Sequence, residues 1–161
     1  MVLFGSPTKE GFALDTVFVV LNYVEYTTSD HEALLRQVDE TYRVVTLNPL
    51  LKGKACIHRG KCAMQDDAKV YRSYRGATVD ERVNGMFSFF PCQTYTEDSL
   101  GFARPIIRMP AVTDSSPRGI KITSCRNLDE VKNRWEEVAE QVMKTCFLGV
   151  FAEMPLECKP I

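Results

Sequence analysis

The stretch FALDTVFVV, residues 12–20, decides the fold class, because it alternates with the two-residue period of a β-strand. One face carries the alternate residues Phe12, Leu14, Thr16, Phe18 and Val20. Both faces are largely apolar, which is typical of a central strand that is covered on both sides. The preceding segment VLFGS (2–6) predicts a second strand. The connection through Lys9-Glu10-Gly11 predicts that the two strands form a hairpin.

Further strands are predicted downstream, where short apolar segments are bounded by Gly, Pro, Asn or Asp. These segments are KVYRSYRG (69–76), GMFSFFPC (85–92), ARPIIRMP (103–110), GIKITSC (119–125) and GVFAEMP (149–155).

Two segments have helical patterns. In TSDHEALLRQVDETYRVV (28–45), Ser29 and Glu32 have the spacing of a capping box, although residues 42–47 could instead form a strand. The clearer helix follows Asn127 and Glu130, which predict a second cap, and it is expected to stop at Gly149. Its apolar residues recur at spacings of three and four, namely Leu128, Val131, Trp135, Val138, Val142 and Cys146.

Together these elements predict an α+β fold, because short strands accompany one or two flanking helices without regular βαβ alternation. The sheet is expected to be mixed or antiparallel, and a small barrel is one form that it could take. No internal repeat or linker is evident, so we predict a single domain over residues 1–161.

The bulk composition excludes some classes of protein. The net charge of −1 provides no global attraction to nucleic acid or to an anionic membrane. The longest apolar segment, VFVVLNYV (17–24), is much shorter than a membrane-spanning helix. The N-terminal segment lacks the features of a signal peptide, so we expect a cytoplasmic protein with its six cysteines reduced.

Positive charge is concentrated between residues 52 and 75. This segment contains seven basic residues and two acidic residues, which gives it a local charge of +5. This segment could contact phosphate, although a solvated loop is the simpler interpretation. The candidate phosphate-binding residues are Lys52, Lys54, Arg59, Lys61, Arg72 and Arg75.

The sequence contains no decisive catalytic or cofactor signature. No P-loop and no G-x-G-x-x-G motif is present, so we predict no cofactor. Cys56, His58 and Cys62 are of types that bind zinc, but their spacing differs from that of a zinc knuckle, and we predict no metal. Whether the protein is an enzyme therefore stays open.

Asp15 is unusual because a carboxylate in an apolar strand is costly unless it is paired. It could pair with Arg75 or Arg104, which we favour, or contact a ligand such as the amino edge of a base.

The most aromatic segment is NGMFSFFPCQTYTEDSLGFARP, residues 84–105. We expect Phe87 and Phe89 to belong to the core, and the opposite strand face to meet a helix, a partner or a ligand. An aromatic surface near an arginine suits a nucleobase. The candidate ligand-binding residues are Asp15, Phe90, Tyr95, Phe102 and Arg104.

The segments MVLFGS, ALDTVFVV, NGMFSFFPC and GFARPIIRMP resemble, in this order and over about half of the chain, small microbial and phage proteins of the PUA-like superfamily. The resemblance extends, loosely, to the branches of that superfamily that are linked to modified DNA bases. The resemblance implies a small pseudo-barrel with flanking helices and a pocket that receives a base. No catalytic residue can be transferred, because no catalytic motif matches.

Three functions follow as hypotheses. The first is a PUA-like module that recognises a nucleotide or a modified base in nucleic acid. The second is a small enzyme acting on nucleotides or nucleic acid, with Asp15 or Cys92 as the reacting group. The third is a protein-interaction or inhibitor module, which could dock through the helix of Trp135. No membrane partner is expected, and the sequence carries no signal for the oligomeric state.

Overall fold

The structure is a computed structural model, and it describes residues 1–27, 30–38, 40–48, 57–58, 61–62, 70–96, 101–109 and 125–151. For residues 33, 57–58 and 61–62 it describes the backbone only. The fold is α+β, as the sequence predicts, with small antiparallel sheets and helices. The chain divides into two compact units, Met1–Leu21 with the residues from Gly76 onward, and Asn22–Arg75. That the whole chain is a single domain stays a prediction.

The first unit begins with an antiparallel hairpin of β1 (Val2–Pro7) and β2 (Phe12–Phe18), as predicted. The turn is closed by Thr8, whose backbone N–H donates to the carbonyl oxygen of Gly11 at 2.7 Å. The consecutive residues Phe4 and Gly5 pair with Thr16 and Leu14, so β2 carries a β-bulge whose extra residue is Asp15.

The other edge of β2 has two different partners. At its start it pairs with the short strand β8 (Ile106–Ile107), with Phe12 opposite Ile107. Near its end, Val17 exchanges backbone hydrogen bonds of 2.8 and 2.9 Å with Phe89. β2 is therefore a central strand, as its two apolar faces predict.

A second small sheet joins β7 (Phe90–Cys92) to β9 (Phe147–Gly149) in antiparallel register. β9 starts earlier than the predicted strand over residues 149–155. The predicted strand over residues 103–110 forms only at Ile106–Ile107, and most of the one over 119–125 lies outside the described residues.

The predicted strand over residues 85–92 is wrong in its first half. Val83 and Met86 pair with each other across a tight turn, in which Asn84 and Gly85 both have positive φ, 50° and 84°. Two consecutive positive φ values are the mark of the type I′ hairpin turn that Asn-Gly favours. The alternation expected from a continuous strand therefore fails here, and Met86 is buried.

The C-terminal helix, α3 (Leu128–Met143), begins as predicted. The side-chain oxygen of its N-cap, Asn127, accepts a hydrogen bond of 2.9 Å from the backbone N–H of Glu130. The helix ends at Met143 rather than at Gly149, because the chain turns to form β9.

The core of this unit lies where α3 packs against the strands. The side-chain amide of Gln141 bonds to both backbone groups of Arg108, just after β8, with distances of 2.8 and 3.3 Å. Trp135 donates from its indole nitrogen to the carbonyl oxygen of Phe87 at 2.9 Å. The buried cluster comprises Phe12, Leu14, Val17, Val19, Ala77, Met86, Phe89, Ile107, Met109, Val138, Ala139 and Val142. Of the two aromatics predicted for the core, Phe89 is buried, and Phe87 is half-buried and packs against the cluster.

The second unit is built on a ribbon of β3 (Val20–Tyr26) and β6 (Tyr71–Gly76). A short hairpin of β4 (Ile57–His58) and β5 (Lys61–Cys62) lies in a region predicted to be a loop.

The predicted helix over residues 28–45 is divided in the structure. It comprises α1 (Glu32–Leu35), α2 (Glu40–Tyr42) and a π-helical turn over Arg43–Leu47. The N-cap of α1 is His31, which makes no side-chain capping bond, so the predicted capping box does not start this helix. The strand alternative for residues 42–47 is also wrong, because these residues are helical.

No helix in the described ranges combines the length and the apolar character that crossing a membrane requires.

Candidate functional site

The candidate site lies on the outer face of the β7–β9 sheet. Pro91 and Leu148 are directly opposite each other, and both face inward, since Pro91 is buried and Leu148 packs against the core. Because successive side chains of a strand point to opposite faces, Phe90 and Cys92 face outward. Phe147 is opposite Cys92 and therefore shares this outer face.

A third segment extends the same face on the other side of β7. The Gln93 N–H donates to the Gly101 carbonyl at 2.8 Å, and the Ala103 N–H donates to the Pro91 carbonyl at 3.2 Å. These bonds place Phe102 directly opposite Cys92. Phe102 therefore also belongs to the outer face.

We call this group of outward side chains, Phe90, Cys92, Phe102 and Phe147, the aromatic platform. Phe102 and Phe147 are 61% and 64% exposed. Phe90 is the diagonal neighbour of Phe102, and their ring centroids are 5.5 Å apart with an interplanar angle of 45°. The platform thus presents aromatic surface to solvent on strands whose other face is held by the core.

Gly149 supports the Phe90 ring from β9. A Cβ atom at this position would lie 2.4 Å from Cε2 of Phe90, so the ring packs directly over the glycine backbone. A larger residue at position 149 would displace the ring, and the geometry of the platform therefore depends on this glycine.

An ion pair involves Arg104, which lies two residues beyond Phe102 in the chain. The Arg104 guanidinium donates from Nε to Oδ1 of Asp15 and from Nη2 to Oδ2 of Asp15 at 3.1 Å. Nη2 also donates to the Ser6 hydroxyl at 2.7 Å. Of the two arginines considered as partners for Asp15, the structure therefore pairs it with Arg104.

Tyr95 and Phe151 are exposed aromatic residues at either end of this region, 72% and 78% exposed. Tyr95 lies beside Gly101, with its Cβ atom 4.0 Å from the position of a Cβ on that glycine. Among the described residues its ring forms no aromatic pair with Phe90 or Phe102.

Four of the five predicted ligand-binding residues form two pairs, and the fifth, Tyr95, belongs to neither. Asp15 contacts Arg104, and Phe90 contacts Phe102, while Tyr95 lies near the segment that carries Phe102. Their role in binding a ligand stays a prediction.

The predicted phosphate-binding residues belong to the second unit. Lys52, Lys54 and Arg59 lie outside the described residues, and Lys61 is described by its backbone alone. Arg72 and Arg75 lie on β6 and are exposed.

The structure also describes only part of the residues that were considered for a metal site. Cys56 lies outside the described residues, and only the backbone of His58 and Cys62 is described, within the β4–β5 hairpin. Among the side chains that the structure describes, no cluster of His, Cys, Asp and Glu could hold a metal ion.

Two candidate residues were missed from the sequence, Phe147 and Phe151. The signal was present in FLGVF (147–151), where two aromatic residues alternate around Gly149. We predicted a strand starting only at Gly149, which left Phe147 attached to the helix and removed it from the sheet face.

The chain matches no family model, and comparison with curated proteins and with solved structures finds no match.

Proposed function

We propose that the aromatic platform binds a nucleobase, either in a nucleotide or in nucleic acid, including a modified base. The observation that supports this is the row of Phe102, Cys92 and Phe147 across three adjacent strand segments, with both rings exposed. Proteins that bind single-stranded nucleic acid use aromatic side chains on sheet faces in this way, because every base has a flat face that can stack.

Stacking on such rings contributes about 1–3 kcal/mol per base. The rings of Phe102 and Phe147 are already in solvent, so a base that covers them would remove apolar surface from water without opening the core. The contact of Phe90 with Gly149 and with Phe102 fixes one side of the surface before a ligand arrives.

In this proposal Arg104 provides the polar contact. Its described hydrogen bonds use Nε and Nη2, and Nη1 makes none with the described residues. Nη1 is therefore the nitrogen we assign to the ligand, either to a phosphate oxygen or to an acceptor on the base edge. Asp15 acts as the positioning residue, since both of its carboxylate oxygens hold the guanidinium.

We further propose that the fold is a PUA-like pseudo-barrel. The support is the succession of backbone pairings in the first unit. β1 pairs with β2, β2 pairs with Phe89 and β8, and β7 pairs with both Phe102 and β9. Among the described residues these pairings do not form a closed barrel.

The test is a titration of the protein with nucleoside monophosphates and with a labelled single strand of about 12 nucleotides, which is within the site sizes of known single-strand binders. We expect Phe102→Ala and Phe147→Ala each to weaken binding by roughly tenfold, the value of one lost stacking contact. The matched control is Leu128→Ala, which also truncates an exposed apolar residue. Leu128 starts α3, about 24 Å along the helix from the end that leads into β9.

Circular dichroism should show that all three variants remain folded, since each residue is exposed. Absence of binding to every probe, or binding that Phe102→Ala and Phe147→Ala leave unchanged, would overturn the proposal. In that case the platform would be better explained as a protein-docking surface.

A further inference from the structure

A second exposed aromatic surface lies on the β3–β6 ribbon of the other unit. Alternate residues of the two strands, Tyr23 and Glu25 on β3 and Arg72 and Tyr74 on β6, are exposed. We call these four residues the tyrosine face. Tyr26 and Tyr71, which occupy the alternate positions, are half-buried and stack with ring centroids 5.7 Å apart. Burial, followed by the charges of Tyr42 and Tyr71, raises the pKa of Tyr26.

The four residues of the tyrosine face contact one another. The rings of Tyr23 and Tyr74 have centroids 5.8 Å apart and are tilted by 52°. The guanidinium carbon of Arg72 lies 4.9 Å from the centre of the Tyr23 ring, which is cation–π distance. Nε and Nη2 of Arg72 each lie 2.9 Å from Oε1 of Glu25. The hydrogen bond to Glu25, followed by one to Tyr74, raises the pKa of Arg72.

The charge of the surrounding sequence indicates which kind of ligand this face suits. Residues 52–75, which end on β6, carry a local charge of +5 in a chain whose net charge is −1. The last two basic residues of this segment, Arg72 and Arg75, lie on β6 and are exposed. Charges act over about 8 Å at physiological salt, so these two arginines act directly on a ligand at the ribbon. Tyrosine rings on a strand that also carries Arg72 and Arg75 complement a polyanion that has flat rings, which is what single-stranded nucleic acid is.

We infer that the tyrosine face binds single-stranded nucleic acid, with bases stacking on Tyr23 and Tyr74 and a phosphate contacting Arg72. This inference rests on the proposed function, because it assigns the same class of ligand to a second surface. It goes beyond that proposal by predicting that a strand binds more tightly than a single nucleotide.

Glu25 has a specific role in this arrangement. Without ligand it holds Arg72 next to the Tyr23 ring, and with ligand it competes with phosphate for the same guanidinium. Both side chains are about half exposed, at 52% and 48%, and an exposed ion pair of this kind contributes little to stability. Substitution of Arg72 is therefore expected to weaken binding, whereas substitution of its partner Glu25 is expected to strengthen it.

The experiment measures polarisation of labelled single strands of DNA and of RNA, each about 12 nucleotides long. We expect Arg72→Gln to weaken binding and to lower the slope of log affinity against log salt by about 0.7, the value for one lost phosphate contact on a single strand. Glu25→Gln should strengthen binding, because the competing carboxylate is gone. If the ion pair were only structural, Arg72→Gln and Glu25→Gln would change the affinity for the strand in the same direction. That result would overturn the inference.

Paired tyrosine variants test the stacking part. Tyr23→Leu and Tyr74→Leu should each weaken binding roughly tenfold, while Tyr23→Phe and Tyr74→Phe keep the ring and should bind nearly as the native protein does. Equal affinity of all four variants would overturn the assignment of bases to this face. Comparison of the DNA and RNA strands shows which sugar is preferred.

The two proposals fail separately. If mononucleotides bind and depend on Phe102, but a strand binds no more tightly and ignores the tyrosine variants, the platform proposal stands and this inference falls. If strand binding depends on Tyr23 and Tyr74 but not on Phe102 or Phe147, this inference stands and the platform proposal falls.

Discussion

Asp15 shows how a single side chain can raise a question in the sequence that only the structure resolves. A carboxylate in the apolar strand β2 predicts a partner, and two arginines were suitable. The structure pairs it with Arg104 and adds Ser6, which no spacing rule could indicate, because the three residues are separated by up to 98 positions in the chain. The pair is also accessible, with side chains 42% and 56% exposed, so the expected cost of burial is small.

The Asp15→Asn variant separates a structural role for this pair from a functional one. Since the pair is exposed, we expect the free energy of unfolding to change by less than about 1 kcal/mol, as measured by urea denaturation. Binding of nucleotides should change instead, because Arg104 loses the carboxylate that orients it. A loss of stability of several kcal/mol with unaltered binding would assign the pair to the fold alone.

Elements were predicted well where local chemistry determines them. The hairpin of β1 and β2 and the Asn127 cap of α3 depend on residues within a few positions of each other, and both are confirmed. The end of α3 and the start of β9 were predicted wrongly, since they depend on pairing with β7, which is more than 50 residues away in the chain. The aromatic platform could not be predicted in full for the same reason.

The turn at Asn84-Gly85 was missed although its signal is local. The aromatic residues of GMFSFFPC favoured a continuous strand, and the type I′ preference of Asn-Gly was not weighed against them. A continuous strand would place Met86 on the face opposite Phe87 and Phe89, whereas the turn directs it into the core with Phe89.

Gly85→Ala tests this turn. The φ of 84° at this position is unfavourable for alanine, and no atom lies within 4 Å of an added Cβ, so backbone strain is the only new cost. We expect a loss of about 1–2 kcal/mol in the free energy of unfolding, measured by urea denaturation. The matched control is Asn84→Gly, in which glycine adopts the φ of 50° without strain and stability should change by less than about 0.5 kcal/mol. Equal effects of the two substitutions would contradict the turn geometry.

At the scale of the whole molecule, composition and strand pattern predicted the α+β class correctly, because both depend on averages over many residues. The division into two compact units was not predicted. The two boundaries fall within strands, between Leu21 and Asn22 in β3 and between Arg75 and Gly76 in β6, and neither has a Gly- or Pro-rich linker that could have indicated it. Each unit has its own buried residues, and the whole of the main core cluster belongs to the first unit.

This division predicts how the chain unfolds. Trp135 is the only tryptophan, and it packs against Phe87 and Phe89 in the first unit, so its fluorescence reports on that unit. Leu34, 1% exposed, is buried in the second unit. We expect Leu34→Ala to cost about 2–5 kcal/mol in its own unit and to leave the urea midpoint of Trp135 fluorescence unchanged.

The matched control is Ile107→Ala in the first unit, where Ile107 is fully buried. Like Leu34→Ala, it truncates a buried aliphatic side chain and leaves a cavity. Because this cavity lies in the first unit, it should lower the urea midpoint of Trp135 fluorescence. Backbone hydrogen exchange at residues 71–75, which belong to the second unit, should instead be faster in Leu34→Ala and unchanged in Ile107→Ala. Since a two-state domain unfolds with one midpoint for every probe, a Trp135 midpoint lowered equally by both variants would show that residues 1–161 fold as the single domain predicted from the sequence.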